Sequence, residues 1–420
     1  MSDTRAMQVG PIGERERISE VDVLRGVALL GVLLMNFIAF AGQHVMATEE
    51  QVAALATHRA DWWAYFLSLW LVGDKANTVF AALFGLGFYI QMSRSEGQPG
   101  FELRYCRRLF WLLVFGVFNM IFIWIWDILN LYALAGFFLL LMRKWSARRL
   151  ALFGLILALW SDNLQETVTG LFGVRLVPEG LYEAPAVAAR QAIALHGSYP
   201  EIVAAMWRWT YSEWLGGGLL VAWVVYALGR FALGAAIGKS GLLTDIPQHL
   251  PLFRKVARVC IPLGLIAALL ARVLALKIWE PIPGNEWVSQ FGDAARSPAA
   301  LVLAAGYASG IIVAFHGGWG RKFFGPAGAV GRMALTNYLL QGVLIGFVLF
   351  GVGPGLGLAG SIGTTTVILI SLAFYAFQIL FSNWWLSRFR FGPMEWLWRT
   401  LTYGKRPEFR RAPAGDPVVA

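Results

Sequence analysis

Charged and amide side chains inside otherwise apolar segments are the residues of this chain whose types and spacing could do chemistry. The first apolar segment holds Asp22, Arg25 and Asn36. Asp22 and Arg25 are three residues apart and can pair on a helix. Arg25 and Asn36 are separated by about three whole turns, so they share a face, about 16 Å apart along the axis. The pattern predicts either an ion pair with one packed asparagine, or a polar stripe that lines a pathway or pocket.

Two more ionisable residues interrupt the apolar segments that follow. Lys75 opens the second segment and either reaches the nearby membrane surface or takes part in function. Asp127 lies among tryptophans between two apolar segments, about two turns after Asn119. Charged groups cost about 2.5–3.5 kcal/mol at the centre of a membrane helix, which makes both residues candidates for a site. We predict that Asp127 is a carboxylate at the outer face, where it could act as a general base, bind a cation or stabilise the fold.

A polar motif opens the ninth apolar segment. Arg332 is followed by Asn337 and Gln341, and these two amides are four residues apart, on one face of a helix. Hydrogen bonds to a neighbouring helix and contacts with a substrate are both compatible with this spacing.

Histidine and cysteine are sparse. His44, His58 and His196 fall in predicted outer segments, where each could act as a base. Since no H-x-x-x-H pair or cysteine–histidine cluster occurs, we predict no metal site. Cys106 and Cys260 fall near predicted cytoplasmic helix ends, so we expect reduced thiols.

The composition is that of a membrane protein. Of the 420 residues, 58% are hydrophobic and 14% are charged, against roughly 25% charged residues in soluble domains. The mean hydropathy is +0.59. The net charge of +10 could suggest a nucleic-acid partner. However, the cations cluster in short loops between apolar segments, as the positive-inside rule expects. We therefore predict an all-α polytopic transmembrane helical bundle, with a lipid bilayer and no nucleic acid as its partner.

Ten apolar segments of helical length divide the chain. They cover residues 18–41, 76–92, 109–126, 128–142, 150–162, 214–237, 256–279, 299–315, 333–350 and 362–386. About ten transmembrane helices are therefore predicted. The stretch 62–72 is too short to cross about 30 Å of hydrocarbon and is predicted to be an interfacial or re-entrant helix.

The distribution of lysine and arginine predicts that both termini lie in the cytoplasm. Arg230 is counted with the cytoplasmic cations in this assignment. The predicted organisation is a cytoplasmic tail at 1–17, a transmembrane domain at 18–388 with a long outer loop near 163–213, and a basic cytoplasmic tail at 389–420. The tryptophans and cations of the last segment favour an interfacial helix.

Several of these motifs occur together in a known family. The matching stretches are 21–31 with Met35-Asn36, Lys75 with 83–87, 127–129 with 132–134, 331–341, and 392–399. In this order they resemble the YeiB-like bacterial membrane proteins, a family defined by domains of unknown function. More remotely, the chain is similar to membrane acyltransferases such as heparan-glucosaminide acetyltransferase and the polysaccharide O-acyltransferases. The resemblance implies a multi-pass protein of the bacterial cytoplasmic (inner) membrane.

The resemblance to acyltransferases implies a site between helices that transfers an acyl group from cytoplasmic acyl-CoA to a lipid, glycan or small-molecule acceptor. The expected catalytic residues are Asp127, Lys75, Asn36 and His196, with Asp127 or an outer histidine as base. The expected substrate-binding residues are Asp22, Arg25, Asn119, Arg332, Asn337 and Gln341. Arginines and the C-terminal cations would hold the donor's phosphates. No bound cofactor is expected, apart from acyl-CoA as the donor.

Some positions depart from the family patterns. The acyltransferases commonly carry a histidine eleven residues after the first-helix arginine, where this chain has Asn36. The YeiB-like pattern usually has a histidine and a glycine where this chain has Asn119 and Trp126. An amide cannot act as a general base near pH 7. Asn36 could still donate a hydrogen bond to a carbonyl or an oxyanion.

Two other functions fit the same residues. A transporter or flippase would use Asp22, Arg25, Lys75, Asp127 and Arg272 to line a substrate path. An inverted repeat of helices would favour that function, and the sequence has no convincing internal similarity. A non-catalytic membrane partner or assembly factor would have a closed, dry interior.

Overall fold

The computed structural model is all-helical. It describes residues 17–41, 47–95, 100–124, 126–161, 183–216, 218–276, 285–349 and 355–411, and the single residues 164, 171, 173 and 180. Within these ranges no β-strand forms, and an isolated bridge joins Phe389 and Arg410. The predicted all-α fold is confirmed.

The first half of the chain supplies the helices around the candidate site. They are α1 (Ser19–Ala41), α2 (Glu49–Ala54), α3 (His58–Leu71), α4 (Lys75–Arg94), α5 (Phe101–Phe122), α6 (Leu129–Leu141), α7 (Ala147–Trp160), α8 (Ala184–His196) and α9 (Tyr199–Trp209). A π-helical turn, Thr210–Gly216, continues α9. The described residues of the predicted long outer loop are thus largely helical.

The second half forms longer helices and two short ones that precede the ninth apolar segment. They are α10 (Leu219–Lys239), α11 (Ile246–Leu274), α12 (Glu286–Phe315), α13 (Gly318–Phe324), α14 (Ala327–Arg332), α15 (Ala334–Val343), α16 (Thr364–Arg388) and α17 (Pro393–Tyr403). The π-helical turn Leu344–Leu349 extends α15.

Six of the described helices are long and apolar enough to cross a membrane. They are Ser19–Ala39 within α1, Phe101–Phe122, Leu219–Lys239, Ile246–Leu274, Trp287–Phe315 within α12, and Thr364–Arg388. Leu129–Leu141 and Ala334–Phe347 are apolar but shorter. A helix of about 20 residues spans the hydrocarbon of a bilayer. These lengths and hydropathies confirm a multi-pass, membrane-type protein, while α4 and α7 are shorter or less apolar than the six.

Glycines let α1 lie directly against α14, and this contact positions two arginines of the candidate site. A Cβ at Gly26 would overlap a backbone carbonyl of α14, and a Cβ at Gly331 would overlap a backbone carbonyl of α1. Small residues allow such close approach between membrane helices. Arg25 directly precedes Gly26, and Arg332 directly follows Gly331. The contact therefore brings both arginines to one end of the bundle.

α4 packs against α10 in a similar way. A Cβ at Gly85 would overlap the carbonyl of Phe231, whereas a Cβ at Gly87 would meet no atom within 4 Å. Phe84 stacks on Phe231 with ring centroids 4.6 Å apart, and Tyr132 of α6 meets Phe231 edge-on at 5.0 Å. These contacts fix the rotation of α4 about its axis.

The location of Arg230 differs from the one predicted from the distribution of charge. It is 0% exposed in the middle of α10 rather than in a cytoplasmic segment. Its guanidinium donates hydrogen bonds to the hydroxyls of Thr78, Ser161 and Ser297 at 3.0, 3.3 and 3.2 Å, and lies 3.3 Å over the ring of Tyr226. A buried cation needs such partners because it has lost its water. Arg230 therefore ties α4, the end of α7, and α12 to α10.

We expect Gly85→Ala to destabilise the protein and Gly87→Ala not to. The new Cβ of Gly85→Ala forces α4 away from α10, at about 1–3 kcal/mol. In Gly87→Ala the Cβ enters open space, and the loss of a helical glycine gains up to about 1 kcal/mol. Thermal unfolding of both purified variants in detergent measures the difference. Equal melting temperatures would contradict this packing.

Candidate functional site

A cavity of about 260 Å³ lies among α1, α4, α5, α6, α15 and α17. Seven arginines in its wall, here called the arginine mouth, are Arg17, Arg25, Arg94, Arg108, Arg332, Arg390 and Arg399. Five other lining residues, here called the apolar half, are Phe80, Phe84, Leu112, Leu129 and Tyr132. The cavity therefore combines strong positive charge with an aromatic and aliphatic wall.

Two guanidiniums of the arginine mouth share one carboxylate. Asp22 lines the cavity and pairs with two of its arginines, with Arg25 Nη1 3.1 Å from Oδ1 and Arg17 Nη1 3.9 Å from Oδ2. Arg390 Nη1 lies 2.9 Å from Oε2 of Glu408, an exposed pair. The Asp22–Arg25 pair predicted from their spacing is thus present, but one carboxylate is shared between two guanidiniums.

Glu395, the second acid of the cavity wall, is engaged with a helix end. Its carboxylate accepts hydrogen bonds from the backbone N–H groups of Leu335 and Thr336 at 2.7 and 3.0 Å, and from Thr336 Oγ1 at 2.6 Å. Met394 N, at the start of α17, donates to Thr336 Oγ1 at 3.1 Å. Burial raises the pKa of Glu395, and these hydrogen bonds oppose that rise. The N-termini of α15 and α17 therefore cap one another. This contact gives a structural reason for two of the family-like motifs, those at 331–341 and 392–399.

α17 adds Arg399 to the mouth and contacts Arg108 of α5. Trp398 Nε1 donates to the carbonyl of Arg108 at 2.8 Å, and the Arg108 guanidinium lies 3.5 Å over the Trp398 ring. The Arg399 guanidinium lies 4.6 Å over the ring of Phe391. The pKa of Arg399 falls to about 10, first because burial disfavours its charge and then because Arg108 and Arg17 lie close. An anion bound among these guanidiniums would offset that repulsion.

Asp127 is fully buried, at 0% exposure, in the connection between α5 and α6. Its Oδ1 accepts a hydrogen bond from Asn119 Nδ2 at 2.9 Å, and its Oδ2 accepts from Asn130 N and Nδ2 at 2.9 and 3.2 Å. A Cβ at Gly116 would overlap Asn130 N, so α6 begins beside Gly116, about 9 Å before the end of α5. The chain therefore re-enters the bundle, and Asp127 serves first to start α6 in the manner of a helix cap.

Tyr338 connects Asp127 with the cavity. Its side chain lines the cavity, and its hydroxyl oxygen accepts a hydrogen bond from Ile128 N at 3.0 Å. Ile128 directly follows Asp127, so the backbone next to Asp127 holds this hydroxyl. The Tyr338 hydroxyl is thus held by the backbone at the start of α6, while the Tyr338 side chain lines the cavity.

Asn337 and Gln341 bind the neighbouring helix α16. Gln341 Nε2 donates to Gln378 Oε1 at 3.0 Å, and Gln378 Nε2 donates to the carbonyl of Asn337 at 2.9 Å. Asn337 Nδ2 donates to Ser382 Oγ at 3.0 Å. Of the two roles left open by the sequence, interhelical hydrogen bonding is the one these contacts support.

Lys75, Asn36 and His196 lie apart from the cavity lining, as the structure describes it. Lys75 is 4% exposed and donates to the carbonyl of Leu69 at 3.1 Å, at the opposite end of α4 from Arg94. Asn36 is half-buried on α1, and His196 is exposed in the last turn of α8. The residues singled out from the sequence therefore form several groups, of which Asp22, Arg25 and Arg332 belong to the cavity.

Metal ligands are not clustered in the part of the chain that the structure describes. No group of three His, Cys, Asp or Glu side chains there is close enough to hold an ion. The nearest such chemistry is a pair, His316 Nε2 and Glu20 Oε1, 2.9 Å apart.

Comparisons with known proteins identify the family. A family model described as "Protein of unknown function (DUF418)" matches residues 237–405. The uncharacterized protein YxaH of Bacillus subtilis (strain 168) is 32% identical over 418 residues, covering 94% of this chain and 96% of its own. The uncharacterized protein YeiB of Escherichia coli (strain K12) is 32% identical over 407 residues, covering 92% and 96%. The chain belongs to the YeiB-like family.

The matches to the YeiB-like relatives each cover more than nine-tenths of this chain. An uncharacterized 39.9 kDa protein from the amylase 3′ region of Bacillus acidopullulyticus is 26% identical over 401 residues, covering 94% of this chain and 96% of its own. The region matched by the family model supplies Arg332 and Arg399, whereas Arg25 and Arg108 precede it. Formation of the cavity thus needs nearly the full matched length.

Sequence reasoning did not assign a role to several residues of the cavity. Arg108 is accounted for by the positive-inside pattern, and Tyr338 and Glu395 are included in motifs without a function. Arg399 is expected only as one of the C-terminal cations that hold phosphates. The signal that could have found them is the pairing of the 331–341 and 392–399 motifs, because two helix starts that cap one another must lie side by side.

Substitutions of Asp127 separate a structural role from that of a base. Asp127→Ala leaves the buried donors of Asn119 and Asn130 without an acceptor, at about 1–3 kcal/mol for each lost partner. Asp127→Asn should be milder, because the Asn119 amide can turn its oxygen toward the new NH₂ group. We expect melting temperatures in the order wild type, Asp127→Asn, Asp127→Ala. Wild-type stability for both variants would contradict the structural role of Asp127.

Proposed function

We propose that this YeiB-like protein is a membrane acyltransferase-like protein whose cavity binds cytoplasmic acyl-CoA as donor. The acceptor would be a lipid, a glycan or a small molecule. The observation that carries the proposal is one cavity in which the arginine mouth adjoins the apolar half. Guanidiniums bind phosphate oxygens in bidentate geometry, and an apolar wall suits an acyl chain.

The size of the cavity indicates which part of the donor enters it. Its volume of about 260 Å³ is slightly below the roughly 300–1,000 Å³ of small-molecule pockets. The acyl end and part of the pantetheine arm that joins it to the phosphates would occupy it, with the phosphates at the arginine mouth and the rest of the CoA outside the bundle.

The proposal includes ten membrane crossings with both termini in the cytoplasm. Each of the ten predicted apolar segments contains a helix in the structure, and the short α6 and α7 pack against long neighbours. This orientation turns the arginine mouth toward the cytoplasm, where acyl-CoA is found.

A fusion of green fluorescent protein to the C-terminus tests this topology. The fusion should fluoresce in an expressing bacterium, and an alkaline phosphatase fusion at the same position should be inactive, because the first reporter matures in the cytoplasm and the second only outside it. Reversed reporter activities would contradict the orientation and turn the mouth away from its donor.

Acyl transfer in this cavity would break the C–S bond of the thioester and form a C–O bond to an acceptor hydroxyl. The acceptor's proton would pass to the departing CoA thiolate. Tyr338 lines the cavity and could give its hydroxyl hydrogen bond to the developing oxyanion. Asp127 would then be a positioning residue rather than a base, because it holds the start of α6, next to the Ile128 N–H that bonds Tyr338.

The predicted outer histidines are less well placed as bases. His58 Nδ1 lies 3.2 Å from the carbonyl of Val52, and His196 is exposed at the end of α8. His44 lies outside the described residues. The proposed step therefore relies on the acceptor, Tyr338 and the thiolate for its proton balance.

Loss of two mouth arginines should weaken donor binding strongly. Each charged hydrogen bond removed in Arg108→Gln/Arg399→Gln costs about 1.5–3 kcal/mol, so the Kd for octanoyl-CoA should rise by at least about tenfold. Arg148→Gln/Arg149→Gln makes the same charge change at exposed positions of α7 and should alter Kd less than about twofold. Binding is measured on nanodisc-embedded protein, and added salt should weaken it.

Mass spectrometry of lipid and glycan extracts incubated with labelled acyl-CoA measures transfer in the same samples. Tyr338→Phe should retain donor binding and lose most of the labelled product. Wild-type protein that binds no acyl-CoA, or equal losses in the two double arginine variants, would overturn the donor proposal.

A transporter or flippase is the second candidate, and a charged group at the other end of α4 favours it. Arg272 Nη2 lies 4.0 Å from Asp74 Oδ2, next to Lys75. Charged residues thus occur at both ends of this helix. Uptake of a phosphate-bearing amphiphile into proteoliposomes without an acyl donor would support transport; acyl transfer without uptake would exclude it.

A further inference from the structure

One face of α4 lines the cavity. Phe80, Phe84, Gly87, Gln91 and Arg94 are all lining residues, spaced three or four apart as on a single helix face. Phe80 and Arg94 are about 21 Å apart along the helix axis, and Gly87 is midway between them. The apolar half and the arginine mouth therefore meet at Gly87.

Packing does not account for a glycine at position 87. A side chain at position 85 would clash with the backbone of α10, whereas a Cβ at Gly87 would meet no atom within 4 Å. Glycine weakens a helix relative to alanine, so an unneeded one is unfavourable. Gln91 Nε2 donates to the Gly87 carbonyl at 3.1 Å, which turns the Gln91 side chain back along the helix. The space beside Gly87 is thus left open.

We infer that Gly87 is a specificity-determining residue: its missing side chain is the passage through which the apolar chain of a phosphate-bearing ligand reaches the apolar half of the cavity. The inference rests on the proposed function in taking the donor to be an acyl-CoA. It deepens that function by naming the donor class, because an apolar half lined by Phe80, Phe84, Leu112, Leu129 and Tyr132 favours a chain of several methylenes over acetyl.

Chain length should govern affinity in the wild-type protein. Each methylene that enters the apolar half should tighten binding by roughly threefold to fourfold until the space is filled. Octanoyl-CoA should therefore bind far more tightly than acetyl-CoA, and acetyl-CoA about as tightly as CoA itself.

A leucine at position 87 should remove this gain without removing phosphate binding. In Gly87→Leu, octanoyl-CoA should bind no better than CoA, and the loss of CoA affinity should be smaller than the loss of octanoyl-CoA affinity, because the phosphates of both still bind at the arginine mouth. Gly87→Ala should show a partial loss. Gly318→Leu is the matched control, since Gly318 is exposed on α13 and a Cβ there also meets no atom within 4 Å. Binding to nanodisc-embedded protein is measured by titration, with melting temperatures to check folding.

Three results would overturn the inference. They are an unchanged preference for octanoyl-CoA in Gly87→Leu, an equal loss of CoA and octanoyl-CoA in both Gly87 variants, and the same change in Gly318→Leu. In each case binding of octanoyl-CoA by the wild type would leave the proposed function standing.

Binding of dodecyl phosphate and of inorganic phosphate tests the passage at Gly87 independently of whether the donor is an acyl-CoA. If the wild type binds no CoA compound, the proposed function fails. Selective loss of dodecyl phosphate over inorganic phosphate in Gly87→Leu would then still support the passage at Gly87. Failure of the wild type to prefer dodecyl phosphate would overturn it.

Discussion

Like charges held close together in a half-buried cavity wall are the constraint on which this structure depends. Two unit charges about 8 Å apart repel by about 2 kcal/mol at an effective dielectric constant near 20. Arg17, Arg108 and Arg399 are close enough for the first two to lower the pKa of the third. The helices that carry them are held by the glycine contact of α1 with α14, by the capping of α15 by Glu395, and by the indole bond of Trp398. A cavity built against such repulsion is pre-organised for an anion.

Local spacing and hydropathy were sufficient to predict much of this architecture. The ten apolar segments each contain a helix because membrane helices must satisfy their backbone polar groups internally. The spacing of Asp22 and Arg25 gave their ion pair, found at 3.1 Å. The spacing of Asn337 and Gln341 placed both amides on one face, where they now contact α16.

Tertiary contacts determine what the sequence could not. Asp127 lies in a connection that re-enters the bundle, and no local pattern distinguishes this path from a loop at the surface. Gly85 and Gly87 occupy the same short motif, but only the three-dimensional neighbours show that one meets a backbone and the other open space. Arg108 and Arg399 match the positive-inside rule, so their convergence on one cavity had no separate sequence signal.

The central claim is that the arginine mouth binds phosphate while the adjoining apolar half takes the attached chain. Cryo-electron microscopy of the nanodisc-embedded protein, saturated with octanoyl-CoA, tests it most directly. Phosphate density between Arg108 and Arg399, continuous with chain density that passes Gly87 toward Phe84, is the expected result. An empty cavity at saturating ligand, or phosphate density only on an exposed surface, would contradict the account.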